Sequence, residues 1–192
     1  METLQEEQVW ILRTLQGDQE AFAQLVQRYQ RQVYNLAYRM LGNVQDAEDV
    51  AQETFLRAYR ALDAFEIGKK FSCWLLSIAS NLCIDLLRRR KFAWLSLQDV
   101  SYRTAAAQEE PVGSALRREQ AHEVQRLLSR LPEKYRVVVV LRYWYDLSYE
   151  EIVEVTGLSL NTVKTRLHRA RAMLARAIEE EERRCATERL AG

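Results

Sequence analysis

Apolar residues recur at steps of three and four along most of the chain, the spacing of α-helices that bury one face. Leu4 to Gln16 is a short helix with Val9, Leu12 and Leu15 on its expected inward stripe. Gly17-Asp18 starts a long helix whose Phe22, Leu25, Val26, Tyr29, Val33, Leu36, Ala37 and Met40 repeat helically until Gly42 stops it. Asn43 can cap the next helix, which runs to about Leu62 and buries Ala47, Val50, Ala51, Phe55, Ala58 and Leu62. A helix from about Ser72 to Arg90 turns Leu75, Ile78, Ala79, Leu82 and Leu86 inward. After Ser114 a helix to about Leu131 carries Val124, Leu127, Leu128 and Leu131, and Pro132 opens its successor at a first-turn position. The segment YRVVVVLRYWY has the β-branched and aromatic content of a strand. No partner strand lies nearby, and Val137, Val140, Leu141 and Trp144 keep helical spacing, so it is assigned as helix. The fold class is all-α.

Between Ser96 and Ser114 the periodicity stops and Ser, Ala, Gln, Glu, Pro and Gly dominate. The chain therefore divides into a helical domain over 1–95, a flexible linker over 96–114, a second helical domain over 115–178 and a charged tail over 179–192 that frays. Fully extended, the roughly 19 linker residues reach about 65 Å, the rise of about 19 base pairs of duplex. Two DNA-reading modules so joined can bind sites more than one helical turn apart, each raising the local concentration of the other.

Leu147 to Leu174 organises the second domain. A short periodic segment, a break at Gly157-Leu158-Ser159 and a basic periodic segment are the parts of a helix-turn-helix. Gly157 suits the positive φ of the turn, and Ser159 can cap the second helix and leave its first N–H groups facing a phosphate. Val163, Leu167, Ala170 and Leu174 share one face of that helix. Opposite lie Asn161, Thr165, His168 and Arg169, with Thr162 beside them and Lys164, Arg166 and Arg171 on the flanks. Amides and hydroxyls read base edges while cations meet phosphates, so this face fits the major groove. The competing interpretation is the solvated side of a bundle helix.

Two further polar faces stand out in the first domain. Asp49, Gln52, Glu53, Leu56 and Arg60 project from the 43–62 helix, and Asp46 and Glu48 acidify its first turn. Acids there stabilise a helix N-terminus in themselves, but an exposed Leu56 among them favours a partner surface. On the 72–90 helix Ser77, Asn81, Arg88 and Lys91 share the outer side and Trp74 flanks it. An aromatic beside an amide, followed by Arg88, Arg89, Arg90 and Lys91, suits stacking on unpaired bases with the backbone held by cations. Core packing for Trp74, and a favourable helix C-terminal charge for 88–91, are the alternatives.

Composition narrows the class. With 192 residues, 48% hydrophobic and 29% charged, the chain can bury a core. No run approaches the ~18 apolar residues of a membrane span, and METLQEEQ is not a signal peptide, so a cytoplasmic location is expected. Net charge is only +1, but it is segregated: basic clusters at 88–91 and 164–176 oppose acidic ones at 46–53 and 179–182. Cys73 and Cys83, ten residues apart on one helix, lie about 15 Å from each other and share neither a disulfide nor a metal; Cys185 has no ligating neighbour. No Ser/His/Asp set, phosphate loop or metal spacing occurs, and His122 and His168 are isolated, so no catalytic residue, cofactor or metal is expected. A heptad seam long enough for dimerisation is also missing, which favours a monomer.

YRMLGNVQDAEDVAQETFLRAYRAL followed by FSCWLLSIASNLCIDLLRRRK resembles region 2 of the RNA polymerase sigma factors of the extracytoplasmic function (ECF) group, and LPEKYRVVVVLRYWYDLSYEEIVEVTGLSLNTVKTRLHRARAML resembles their region 4. FEIGKKFSCWLLSIASNL is most similar to the W-type envelope-stress factors. The resemblance implies an alternative sigma factor, not an enzyme, that binds core RNA polymerase and directs promoter recognition and opening in a stress response. Asp46, Glu48, Asp49, Gln52 and Glu53 would dock on the β′ clamp helices. Phe65, Lys69, Lys70, Trp74, Ser77 and Asn81 would capture the unwound strand of the near promoter element, with Arg88, Arg89, Arg90 and Lys91 on the adjacent backbone. Asn161, Thr162, Lys164, Thr165, Arg166, His168, Arg169 and Arg171 would read the upstream element, and the Leu131 to Trp144 helix would meet the β flap. Strand opening would follow from tighter binding of unstacked than of paired bases. A membrane-anchored anti-sigma factor is the implied inhibitor, holding the protein at the inner face of the membrane.

One departure is Val153, where family helix-turn-helices usually place alanine; the larger side chain is expected to widen the helix crossing slightly. Two other functions compete. A stand-alone regulator would need dimerisation and a palindromic site. A nucleic-acid enzyme has only solitary ionisable residues in its favour.

Overall fold

The computed structural model describes residues 2–96 and 115–191, with side chains described for 5–93 and 120–183. The expected linker lies, after Ser96, outside the described residues. Among the described residues the order is α1 (Glu2–Leu15), α2 (Gln19–Leu41), α3 (Val44–Arg60), a 3-10 turn (Leu62–Ala64), α4 (Phe71–Ser96), α5 (Ala115–Arg130), α6 (Glu133–Trp144), α7 (Tyr149–Thr156) and α8 (Leu160–Ala191).

Local chemistry sets the boundaries. The Asp18 carboxylate accepts from the N–H groups of Glu20 (3.0 Å) and Ala21 (3.2 Å), satisfying two free donors at the start of α2. At the other end Gly42 has φ +71°, and its N–H returns to the Tyr38 carbonyl. Asn43 follows at once and caps α3 by accepting from Asp46 N (3.0 Å). Leu25, Val33, Leu36 and Met40 of α2 are fully buried, worth ~1.5–3 kcal/mol each on transfer from water.

The first helix corrects an expectation. Val9, Leu12 and Leu15 are 51%, 46% and 43% exposed, and the buried stripe is Glu7, Ile11 and Thr14. The Tyr29 hydroxyl donates to the Glu7 carboxylate in the interior, and the Thr14 hydroxyl donates to the Trp10 carbonyl (2.7 Å). A paired carboxylate thus displaces aliphatic side chains from the inward position. The chain's other end corrects another: α8 continues as helix through Ala191, where a frayed tail was expected from Glu179. Arg130 of α5 donates to the Ala177 carbonyl (3.2 Å) and pairs with Glu181 (2.9 Å), which ties the extension down.

Helices α1–α4 form one group and α5–α8 the other, yet the buried side chains of both belong to one contiguous cluster. Its centre is α4. Phe71–Ala93 is long and apolar enough to cross a membrane by length and composition, contrary to the expectation that no run would be. The physical reason is position, because α2, α3, α6 and α7 all pack on α4 and a helix covered on several sides needs no polar face there. The valine run of α6 has the same origin: Arg136 to Leu141 are all buried, with α8 on one side and α2 and α4 on others.

Polar contacts fasten the groups together. Gln125 of α5 donates through Nε2 to the Tyr38 and Arg39 carbonyls (both 3.2 Å), meeting the free C-terminal carbonyls of α2. A Cβ at Gly42 would stand 3.2 Å from that amide, so the left-handed turn and the close approach both call for glycine. The buried Arg136 guanidinium donates to the carbonyls of Met40, Ser129 (2.9 Å) and Leu131 (3.0 Å). Tyr145 donates to the Gln32 carbonyl (2.5 Å), and Arg39 sits 4.5 Å over the Trp144 ring.

Candidate nucleic-acid interface

The loop before α4 and the first turns of α4 enclose a cavity of about 240 Å³, lined by Phe65, Lys69, Lys70, Trp74 and Ser77 with Glu154 from α7. Phe65 is not a free stacking platform. It is only 7% exposed, and its ring lies 5.4 Å from Phe71 and 5.3 Å from Trp74. Edge-on packing in this cluster makes Phe65 the wall against which Trp74 is positioned. Trp74 itself is half-buried, 5.6 Å from Phe71, and also lines the cavity, so it packs against the core on one side and faces open space on the other. Ser77 donates to the Trp74 carbonyl (2.7 Å), leaving its lone pairs as acceptors. Asn81 is exposed on the same helix.

The lysines of the loop are engaged. Lys69 pairs with Glu66 (2.6 Å), and Lys70 pairs with Glu151 of α7. Both ammonium groups are held above the usual lysine range, chiefly by these hydrogen bonds. Arg88, Arg89, Arg90 and Lys91 are exposed at the far end of α4, and Arg90 donates to Asp46 (2.5 Å). Asp46, in the first turn of α3, thus pairs with the basic run at the end of α4.

The helix-turn-helix forms as its sequence dictates. Ser148 and Glu151 make a reciprocal capping box at α7, Ser148 Oγ accepting from Glu151 N (3.1 Å) and Glu151 accepting from Ser148 N (2.7 Å). Gly157 takes φ +67° with nothing near its missing Cβ, so the requirement there is conformational alone. Ser159 accepts from Thr162 N (3.2 Å) and caps α8. Ile152, Val155, Val163, Leu167 and Ala170 are buried; Val153 is half-buried at the rim of that packing. Asn161, Lys164, Thr165, His168, Arg169 and Arg171 are exposed, and Thr162 and Arg166 are half-exposed beside them.

Three residues absent from the expected set join this face. Lys134 and Tyr135 of α6 line a polar concavity of about 350 Å³ together with Asn161, Thr162, Thr165, Arg166 and Arg169. A hydrogen bond from Arg169 holds the Tyr135 phenol below its ordinary range. Tyr143 accepts from Arg171 Nε (2.7 Å). No local signal marks these tyrosines, because they lie about 30 residues before the arginines they steady and read as part of an apolar helix.

On α3 the acids Glu48 and Asp49 and the amide Gln52 are exposed, and Glu53 forms an i,i+4 pair with Arg57 (2.7 Å). Behind Glu48 and Gln52 runs a groove of about 890 Å³ between α2 and α3, walled by Phe22, Val26, Tyr34, Phe55, Leu56 and Tyr59. Leu56 and Tyr59 are large apolar side chains left exposed on its edge. An apolar trough edged by Gln19, Gln30, Arg31, Glu48 and Gln52 is suited to a partner protein rather than to DNA. The two buried thiols, Cys73 and Cys83, are unpaired, and burial pushes Cys83 up to about 12, well out of reach of nucleophilic chemistry.

Comparison with known proteins identifies two family regions in the chain. The family model for sigma-70 region 2 matches residues 25–93, and that for sigma-70 region 4 matches 121–174. The ECF RNA polymerase sigma factor SigW of Bacillus subtilis is 41% identical over 178 residues, covering 88% of this chain and 95% of its own. The ECF sigma-E factor of Escherichia coli K12 is 35% identical over 181 residues, covering 90% and 94%. Among solved structures, CnrH in complex with the cytosolic domain of CnrY superposes with a TM-score of 0.70 at 28% identity, covering 91% of this chain and 98% of that one. The sigma factor RpoE of Bartonella quintana, in complex with the anti-sigma factor NepR, shares the fold, with a TM-score of 0.69 at 24% identity over 82% and 96%. Two matched regions in the same order, and full-length similarity to these relatives, place the chain in the ECF group of RNA polymerase sigma factors.

Proposed function

We propose that this alternative sigma factor divides its work among three surfaces, with 1–95 and 115–178 as the functional modules. The groove between α2 and α3, with Glu48, Asp49, Gln52 and Glu53 beside it, docks on the β′ clamp helices of core polymerase. The cavity at Lys69, Lys70, Trp74 and Ser77, continued by Asn81 and the 88–91 basic run, takes the unwound strand of the near element. The exposed face of α8 reads the upstream element, with Tyr135 and Tyr143 steadying Arg169 and Arg171. The Leu131 to Trp144 segment meets the β flap. The observation that carries this reading is the apolar groove between α2 and α3, with Glu48 and Gln52 in its lining and Leu56 and Tyr59 exposed at its edge, a protein-binding surface set apart from the polar faces assigned to DNA.

The reading places the protein in the cytoplasm, where polymerase works. An anti-sigma factor is the expected inhibitor; a membrane-anchored one would hold the chain at the inner face of the membrane. The test is promoter protection by the purified chain with and without core polymerase. Protection and specific initiation should need both, and equal protection by the chain alone would remove the basis of the assignment.

A further inference from the structure

We propose that in the free chain the acidic face of α7 plugs the near-element cavity, with Glu151 and Glu154 standing where the strand's backbone phosphates would lie. This rests on the assignment of that cavity to the near promoter element. Lys70 gives its ammonium to Glu151, and Glu154, one turn further along α7, lines the cavity together with Trp74 and Ser77. Glu151 is not a loose surface acid: its second oxygen accepts from Ser148 N in the capping box, so the backbone of α7 fixes where its charge sits. Glu154 adds to the field that favours the charged forms of Lys69 and Lys70. A cation committed to a protein carboxylate cannot also neutralise a phosphate, so strand and helix compete for one site.

The rest of the interface holds the plug in place. Gln125 and Arg136 fill the carbonyls at the end of α2, Tyr145 reaches Gln32, and α4 packs directly on α7. The same packing lays α2 and α4 against α6, although Tyr143 and Trp144 at the end of the segment assigned to the β flap stay exposed. The polar face of α8 remains exposed. The free chain is thus closed at the near element and open at the upstream one, and separation of the two helical groups uncovers the cavity.

Zero-length carbodiimide cross-linking of the full chain tests the contact, because it joins an ammonium to a carboxylate only when they touch. Peptide mass spectrometry should find Lys70 joined to Glu151 in the free chain and the cross-link lost when core polymerase is added. Binding of a fluorescent oligothymidylate of about 20 nucleotides tests the consequence. Glu151→Gln/Glu154→Gln keeps the capping box, since glutamine also serves at that position, and should bind the strand roughly fivefold tighter than the parent. A control removing two distant acids, Glu179→Gln/Glu182→Gln, should change binding less than about twofold, isolating the plug from net charge. No Lys70–Glu151 cross-link, or equal gains in both variants, overturns the proposal. Loss of the plug effect while Trp74→Ala still impairs promoter opening by holoenzyme overturns the plug alone. Promoter opening unaffected by Trp74→Ala overturns the near-element assignment beneath it.

Discussion

Arg136→Met is the sharpest stability test of the shared core. The side chain is 8% exposed and donates to three carbonyls, Met40 of α2, Ser129 of α5 and Leu131 in the α5–α6 turn. Methionine replaces much of the packed volume but no donor, so three acceptors lose their partner, at ~1–3 kcal/mol for each buried one. Relief of the guanidinium's own desolvation offsets part of this, since burial already pulls its pKa down and Nε has no partner. The net loss should be about 3 kcal/mol, or a fall in Tm of roughly 6–12 °C for a chain of this size. Thermal unfolding followed by far-UV circular dichroism and by tryptophan fluorescence would measure it. Because Met40 and Leu131 belong to different helical groups, the two signals should fall together. A shift under about 2 °C, or a fluorescence transition that separates from the dichroism, would refute the idea that this residue ties the halves into one core.

Three other outcomes are expected. Glu53→Arg should weaken core polymerase binding while leaving Tm within about 2 °C of the parent, as the site is half-exposed and its i,i+4 pair contributes only ~0.3–0.5 kcal/mol; unchanged affinity in a pull-down titration would count against the docking face. Arg169→Ala should cost ~1–3 kcal/mol at the upstream element if it reads a base, measured by holoenzyme binding to matched and mismatched promoters; an equal loss on every sequence reassigns it to phosphate. The Lys70–Glu151 contact should respond to pH only at the extremes. Lys70 and the Ser148 amide hold Glu151 below its usual 4.5, so its contribution is present above that value and lost as pH falls through the lowered one. Lys70 is raised above 10.5, so its share is lost only as pH climbs through the raised value. The Tm difference between parent and Glu151→Gln should therefore be flat across neutral pH and vanish in acid; a change centred near neutrality would implicate another group.

Much of the site was visible in the residues because its parts are local. Asp18, Gly42, Asn43, Gly157 and Ser159 act within a turn of where they stand, so capping and left-handed turns follow from identity and spacing. The exposed polar face of α8 follows too, because one periodic stripe must be buried and the remainder cannot be. Asn81 and Thr165 both reach solvent as that logic requires. Where a second partner competed for a face, periodicity misled. Glu7 outbids Val9, Leu12 and Leu15 for the inside of α1 only because Tyr29, 22 residues away, offers a hydroxyl. Phe65 is drawn inside by Phe71 and Trp74.

By itself, then, the order of residues determined helices, caps, the helix-turn-helix and the segregation of charge, all of which are settled within a few turns of backbone. Tertiary packing alone decided that Gln125 and Arg136 close the end of α2, that Tyr135 and Tyr143 steady arginines of α8, and that α7 lies over Lys70. Those contacts join residues about 30 to 100 positions apart, and no period along a chain encodes which exposed carbonyl or cation a distant side chain will meet.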